Sequence, residues 1–311
     1  MHFDRHVRNL VFILGLFVPP VCVASHCPPT SGVAVQVLGS GGPIADDDRA
    51  SSAYLIWVDG KSRVLIDAGG GTFLRFAAAG ADFRDLEFIG LSHFHTDHSA
   101  DFPALLKSGS FRKRSEPLTI AGPDKSDFFP GLTHFLGSLL GRESGAFAYL
   151  GGYLEGDGRL PKLALVEVDS KNTEPAPVYG DNDSRIQIEA MHVPHGIVPA
   201  LAFRVRIGPL LIVFSSDQNG SKQDFVEFSK DASMLVMHMP VPEDVTGVGR
   251  QLHAPPSVIG IIANAANVRM LIISHLMQRS LRELEKNVDL IKTRFSGPID
   301  VANDLSCYKI N

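Results

Sequence analysis

The chain has little that would tie it to a membrane, a nucleic acid or a disulfide-built scaffold. Only three of its 311 residues are cysteine, namely Cys22, Cys27 and Cys307. That is far below the density of a small domain stapled by disulfides. Positive charge is not in excess: 29 Lys and Arg face 34 Asp and Glu, for a net charge of −5. A nucleic-acid binder usually carries a basic excess or stripe, and the densest basic run here, Phe111-Arg112-Lys113-Arg114, is short and reads as a solvated loop. No apolar stretch reaches the roughly 20 residues that cross a bilayer. There is no low-complexity tract and no short repeat.

What is present is a globular composition, 44% hydrophobic and 20% charged, long enough for one large or two ordinary domains. The first 24 residues differ from the rest. Arg5 and Arg8 precede the apolar run LVFILGLFV (10–18), and Ala24 follows Pro19 and Pro20. A basic start, a short apolar core and a small residue at the end describe a secretory signal peptide. The expectation is cleavage near Ala24 and export to the periplasm or beyond, leaving residues 25–311 as the mature domain. Cleavage also leaves two cysteines, Cys27 and Cys307, able to form one disulfide in an oxidising compartment.

From Val33 onward, strand-like and helix-like segments alternate. VAVQVL (33–38), AYLIWVD (53–59), SRVLIDAG (62–69), LEFIGLSH (86–93) and LTIAGP (118–123) read as strands. So do RIQIEAMHV (185–193), LAFRVRI (201–207), LLIVFSSD (210–217), SMLVMH (233–238) and MLIISH (270–275). Residues 124–160 read as an inserted helix and loop, and Ser280 with Glu283 reads as a capping box opening a late helix. The pattern predicts one α/β domain. Asp67, His93, Asp217, His238 and His275 fall at or near strand ends, where α/β sheets build their sites.

The densest chemistry is LSHFHTDHSAD (91–101). His93 and His95, two apart on an extended chain, point the same way and can pinch one metal ion. Asp97 and His98 come from the turn that follows and suit a second. Imidazole and carboxylate donors without thiolate favour zinc, with manganese or iron as alternatives. His195, Asp217 and His275 are candidates for the remaining ligands. His192 competes with His195, and the spacing of His195 to Gly196 and Pro199 favours His195.

HFHTDH (93–98) resembles the HxHxDH signature of the metallo-β-lactamase superfamily. VLGSGGP (37–43), LIDAGGG (65–71), HGIVPALAFRV (195–205), VFSSD (213–217) and LIISH (271–275) resemble its other motifs, in order, over about residues 33–311. The branch resembled is that of ribonuclease Z and the arylsulfatase-like enzymes. The resemblance implies a four-layer αβ/βα sandwich and two zinc ions. His93, His95 and His195 would hold the first ion and Asp97, His98 and His275 the second, with Asp217 bridging. Asp67 would orient the ligand loop, and Asp97 and His253 would serve catalysis. Where ribonuclease Z carries a glutamate, this chain has His238, which is expected to support the site.

The activity implied is hydrolysis by a metal-bridged hydroxide. An exported acidic protein is at odds with cytoplasmic transfer RNA, so the expected substrate is a small-molecule phosphodiester or sulfate ester rather than a nucleic acid. A lactone or β-lactam hydrolase, a ribonuclease Z-like endonuclease and a non-catalytic zinc-binding protein are the alternatives. Ligands spread over 180 residues with no His-rich loop argue against the last.

Overall fold

The computed structural model describes residue 27 and residues 30–114, 116–157, 160–172 and 174–310. The expected leader, residues 1–24, lies outside the described residues. Six strands lay down the first sheet: β1 (Val33–Gly39), β2 (Ala53–Val58), β3 (Lys61–Ile66), β4 (Phe88–Gly90), β5 (Leu118–Pro123) and β6 (Leu163–Val168). β1 to β3 form an antiparallel meander, and β3 to β6 run parallel. Parallel neighbours need crossovers, usually helical. These carry α1 (Thr72–Ala78), then α2 (Thr96–Ser99) and α3 (Phe102–Gly109), then α4 (Leu132–Leu140) and α5 (Gly152–Glu155).

The second sheet has seven strands: β7 (Ala176–Tyr179), β8 (Ile186–His195), β9 (Val198–Ile207), β10 (Leu210–Phe214), β11 (Met234–His238), β12 (Leu271–Ser274) and β13 (Ile299–Val301). Its first four strands are antiparallel and its last four parallel. Its helices are α6 (Asp224–Phe228), α7 (Gly247–Leu252), α8 (Pro256–Ala265), α9 (Gln278–Leu281) and α10 (Leu284–Lys292). β14 (Cys307–Ile310) then returns to the first sheet, antiparallel to β1.

Burial explains the layering. Every residue of β1 and β2 is buried, as expected of strands covered on both faces. One core lies between the sheets and includes Val35, Tyr54, Ile56, Phe88, Phe203, Phe214 and Ile272. A second packs the first sheet against its helices through Leu55, Leu65, Phe102, Leu106 and Leu136. A third does the same for the second sheet through Val213, Leu235, Ile259 and Ile291. Three apolar seams make four layers, the αβ/βα sandwich expected from the sequence. Cys27 and Cys307 are joined by a disulfide with their α-carbons 5.9 Å apart. Among the described residues no helix is long and apolar enough to cross a membrane.

Local readings needed correction. Residues 124–160, expected as a helix and loop, carry α4 and α5 and lie within the β5-to-β6 crossover. Ser280 is not a helix start. It is the third residue of α9, and its hydroxyl accepts the backbone N–H of Met277 at 3.2 Å. The chain breaks between α9 and α10, so Glu283 opens the next helix with no side-chain cap. β6, β7, β13 and β14 were not anticipated.

Candidate metal centre

The site forms where strand ends from both sheets meet. Three of them turn through left-handed backbone: Asp67 (φ 61°), Ser216 (φ 55°) and His275 (φ 53°). Such conformations cost about 1–2 kcal/mol for a side-chain-bearing residue, and strain of this kind clusters at functional sites. Glycines let the loops close in. A Cβ on Gly69 would lie 2.1 Å from the Asp97 carbonyl oxygen, and one on Gly42 would lie 3.0 Å from the His275 ring. The glycine loop is locked to the β12 end by hydrogen bonds from Gly42 N–H to Leu276 O and from Leu276 N–H to Ser40 O.

β4 ends at Gly90, earlier than the sequence suggested, and the chain runs on irregularly to α2. His93 and His95 still converge, with Nε2 of one 3.1 Å from Nδ1 of the other. His195, at the end of β8, completes a cluster in which one donor atom from each ring lies within 4.8 Å of the others. The carbonyl of Leu252, 3.0 Å away, accepts from His195 Nδ1 and leaves Nε2 facing the cluster. His192 joins no such cluster among the described residues.

The second cluster gathers Asp97 and His98 from α2, Asp217 beyond β10 and His275 beyond β12. His275 Nε2 is 3.1 Å from Asp97 Oδ2 and 3.4 Å from Asp217 Oδ1. His98 Nε2 is 3.5 Å from Asp97 and 3.7 Å from Asp217. Asp217 Oδ2 is also 3.7 Å from His195 Nε2, so one oxygen faces a histidine of each cluster. Fully buried, the nitrogens His98 Nε2 and His195 Nε2 have no hydrogen-bond partner. Unpaired buried polar atoms are costly, and donors facing inward in two adjacent groups fit a pair of divalent cations.

A supporting layer holds these donors. Asp67 accepts from Ser92 N–H (2.7 Å), from Ser92 Oγ–H (2.9 Å) and from His98 Nδ1–H (2.8 Å). His238 stands behind Asp217: its Nδ1 is 2.7 Å from Asp217 Oδ1 and its Nε2 is 2.8 Å from Tyr54 Oη, which lies 3.0 Å from Ser274 Oγ. With both nitrogens committed, His238 is an anchor for Asp217. A partner of this kind fixes the orientation of a ligand.

The electrostatics follow from burial opposed by opposite charge. Burial pushes the Asp97 carboxyl up, but hydrogen bonds with His275 and His98 overturn this and hold it far below the usual carboxylate range. Asp217 is likewise held down despite its burial, through the charges of His275 and His253. Burial works against charge on His98 and His275, yet neighbouring carboxylates raise both above the ordinary histidine value, Asp67 foremost for the first and Asp217 for the second. Burial lowers His253 to about 3 and His238 to about 4.

A cleft of about 510 Å³ opens over the clusters, lined by His95, Asp97, His195, Asp217, His253 and His275. His253 Nδ1 is 3.9 Å from Asp217 Oδ2. The cleft also holds Arg279, missed in the sequence, whose Nε donates to Pro240 O at 2.7 Å. Four residues beyond His275, an arginine on a short helix looks like any surface cation.

A model described as the metallo-beta-lactamase superfamily matches residues 46–198. The chain belongs to that superfamily. It is a metal-dependent hydrolase of the metallo-β-lactamase fold. Its similarity to curated relatives runs nearly end to end. Ribonuclease Z of Methanosarcina acetivorans is 26% identical over 87% of this chain and 96% of the relative. Ribonuclease Z of Mycobacterium bovis is 28% identical over 89% of this chain and 98% of the relative. The crystal structure of human tRNase Z, short form, superposes with a TM-score of 0.67 at 19% identity, covering 89% of this chain and 99% of that one.

These relatives overturn one expectation. A small-molecule ester, with nucleic acid set aside, does not agree with a superfamily member whose near-full-length relatives are ribonucleases. That expectation rested on export and on the net charge of −5. A whole-chain sum does not report local charge, and Arg279 in the cleft is cationic.

Proposed function

We propose that this chain is an exported, dinuclear, zinc-dependent ribonuclease that hydrolyses RNA phosphodiesters in the manner its ribonuclease Z relatives suggest. The observation that carries the reading is Asp217, one carboxylate oxygen lying between two inward-facing donor clusters in a chain similar to ribonuclease Z over nearly its whole length. His93, His95 and His195 would hold one ion, and Asp97, His98 and His275 the other, with Asp217 shared. When bound, the ions supply Lewis-acid polarisation of the phosphate and acidify water.

The chain's residues do the rest. Arg279 draws the anionic backbone into the cleft and faces a phosphate oxygen. Asp97, ionised at neutral pH, orients the attacking water and accepts its proton. His253, neutral because it is buried, offers a ring N–H to the departing oxygen. Tyr54 and His238 keep Asp217 from rotating. Export is supported by the basic and apolar N-terminal stretch and by the Cys27–Cys307 disulfide, which suits an oxidising compartment.

The test is cleavage of a transfer-RNA precursor and of an unstructured RNA by zinc-loaded protein, with Asp97→Ala as control. Cleavage lost in the variant supports the proposal, and an intact RNA under two bound zinc ions refutes it. The intact mass of protein recovered outside the cytoplasm tests export: loss of the first 24 residues is expected.

A further inference from the structure

The loop after β5 and the start of α4 place a row of aromatic rings beside the metal centre. Phe128 is 76% exposed, an unusual position for a large apolar ring that serves no core. Phe129 sets its ring 6.1 Å from that of His95, edge to face. Phe135 stacks on Phe94 at 4.4 Å with the rings nearly parallel, and Phe94 lines the catalytic cleft. The two recesses therefore share a wall. The outer one, about 450 Å³, is lined by Phe128, Phe129 and Phe135 with Lys125, His134 and Ser138.

The row is held in place. The Ser126 hydroxyl accepts the Phe129 backbone N–H at 3.3 Å, and Ser126 N–H donates to Phe129 O at 3.0 Å. Glu167 on β6 accepts Thr133 N–H at 2.8 Å and fixes the first turn of α4. Asp124 accepts Ser170 N–H at 2.8 Å and pins the loop's start. A ring displayed on a braced loop next to reacting groups loses little freedom when it is covered.

We propose that Phe128 and Phe129 form a stacking shelf for an unpaired nucleobase flanking the scissile phosphate, an inference that rests on the RNA reading above. Bases splayed from single-stranded RNA stack on aromatic side chains, and such stacking tolerates any base because each has a π face. Lys125 at the rim is placed for the adjoining phosphate. The continuity of the shelf with the cleft, through Phe94–Phe135 and His95–Phe129, is what selects a nucleobase over a separate protein partner. A partner would not need to sit against a metal-cluster histidine.

The experiment compares one RNA with versions carrying an abasic nucleotide on the 5′ or the 3′ side of the mapped cut. Phe128→Ala and Phe128→Trp are assayed beside the wild type, all zinc-loaded. Phe128 is exposed and holds no metal donor, so the variants fold. Phe128→Ala should lose about 10- to 100-fold in kcat/KM on the complete RNA. It should match the wild type on one of the two abasic RNAs, and Phe128→Trp should restore cleavage. Equal loss on all three RNAs, or no loss on any, overturns the shelf while leaving the nuclease standing. A wild type that cleaves no RNA overturns both.

Discussion

Replacing Asp67 with asparagine should disable the second metal position while leaving the fold intact. Asp67 receives three hydrogen bonds, two from Ser92 and one from His98 Nδ1. Asparagine has the same shape and tolerates the left-handed backbone found here (φ 61°). Its Oδ1 can keep the Ser92 N–H. Its Nδ2 can only donate, so His98 Nδ1 must become an acceptor and the ring's proton moves to Nε2. That is the atom turned toward Asp97 and Asp217, and a protonated nitrogen cannot bind a cation. Losing one hydrogen bond between charged groups costs about 1.5–3 kcal/mol, against a total stability of roughly 5–15 kcal/mol. The variant folds. Loss of such an outer partner weakens metal binding about 10- to 100-fold, and the forced proton places Asp67→Asn at the upper end. Competition with a chelator of known zinc affinity should show one tight and one weakened ion, and urea titration of metal-free protein a small drop in midpoint. Two ions bound with wild-type affinity would refute the assigned role of Asp67.

Other outcomes follow from the same geometry. Tyr54→Phe removes the hydroxyl between His238 and Ser274; it should cost about 1–3 kcal/mol in stability and loosen zinc binding, read by the same competition. Cys307→Ser opens the 280-residue separation closed by the disulfide and should cost about 2–5 kcal/mol, measured by urea unfolding. In metal-free protein, His98 and His275 are raised, so the stability they contribute is complete below about 6.5 and is lost as pH rises through their folded values. His93, His95, His238 and His253 are lowered, so theirs is present above about 6.5 and lost as pH falls. Metal-free stability should therefore peak near neutrality, and a midpoint still rising from pH 7 to pH 9 would contradict this. Zinc affinity should increase with pH over the same range, because binding displaces the protons on His98 and His275.

Much of the candidate centre was legible because its donor side chains are chemically conspicuous. Three histidines and an aspartate within His93–His98 have few other uses, and strand-end positions singled out Asp67, Asp217 and His275. Tyr54 was not legible: it sits in AYLIWV, a strand buried throughout, where an aromatic reads as core. Its hydroxyl gains meaning only when β11 and β12 bring His238 and Ser274 across the inter-sheet seam. Phe128 and Phe129 were not legible as site residues, because sequence does not show that their loop comes to rest beside His95. β6 reads LALVEV, partly exposed and charged near its end, too weak a pattern to claim as a strand. The substrate was misjudged for a related reason. A charge total has no address, and recognition depends on which cation lies at which wall.

β14 pairs Ile310 with Val33, so the first sheet borrows its edge from the far end of the chain. During synthesis β1 can pair with β2 at once, but its other side stays open until the second half has been made. An open edge of buried apolar strand is a template for unwanted pairing. The same arrangement delays completion of the domain until β14 emerges. The disulfide at the start of that strand, between Cys27 and Cys307, then acts as a latch that can close only after β14 has reached β1. Completion of the first sheet and covalent closure of the chain become one event.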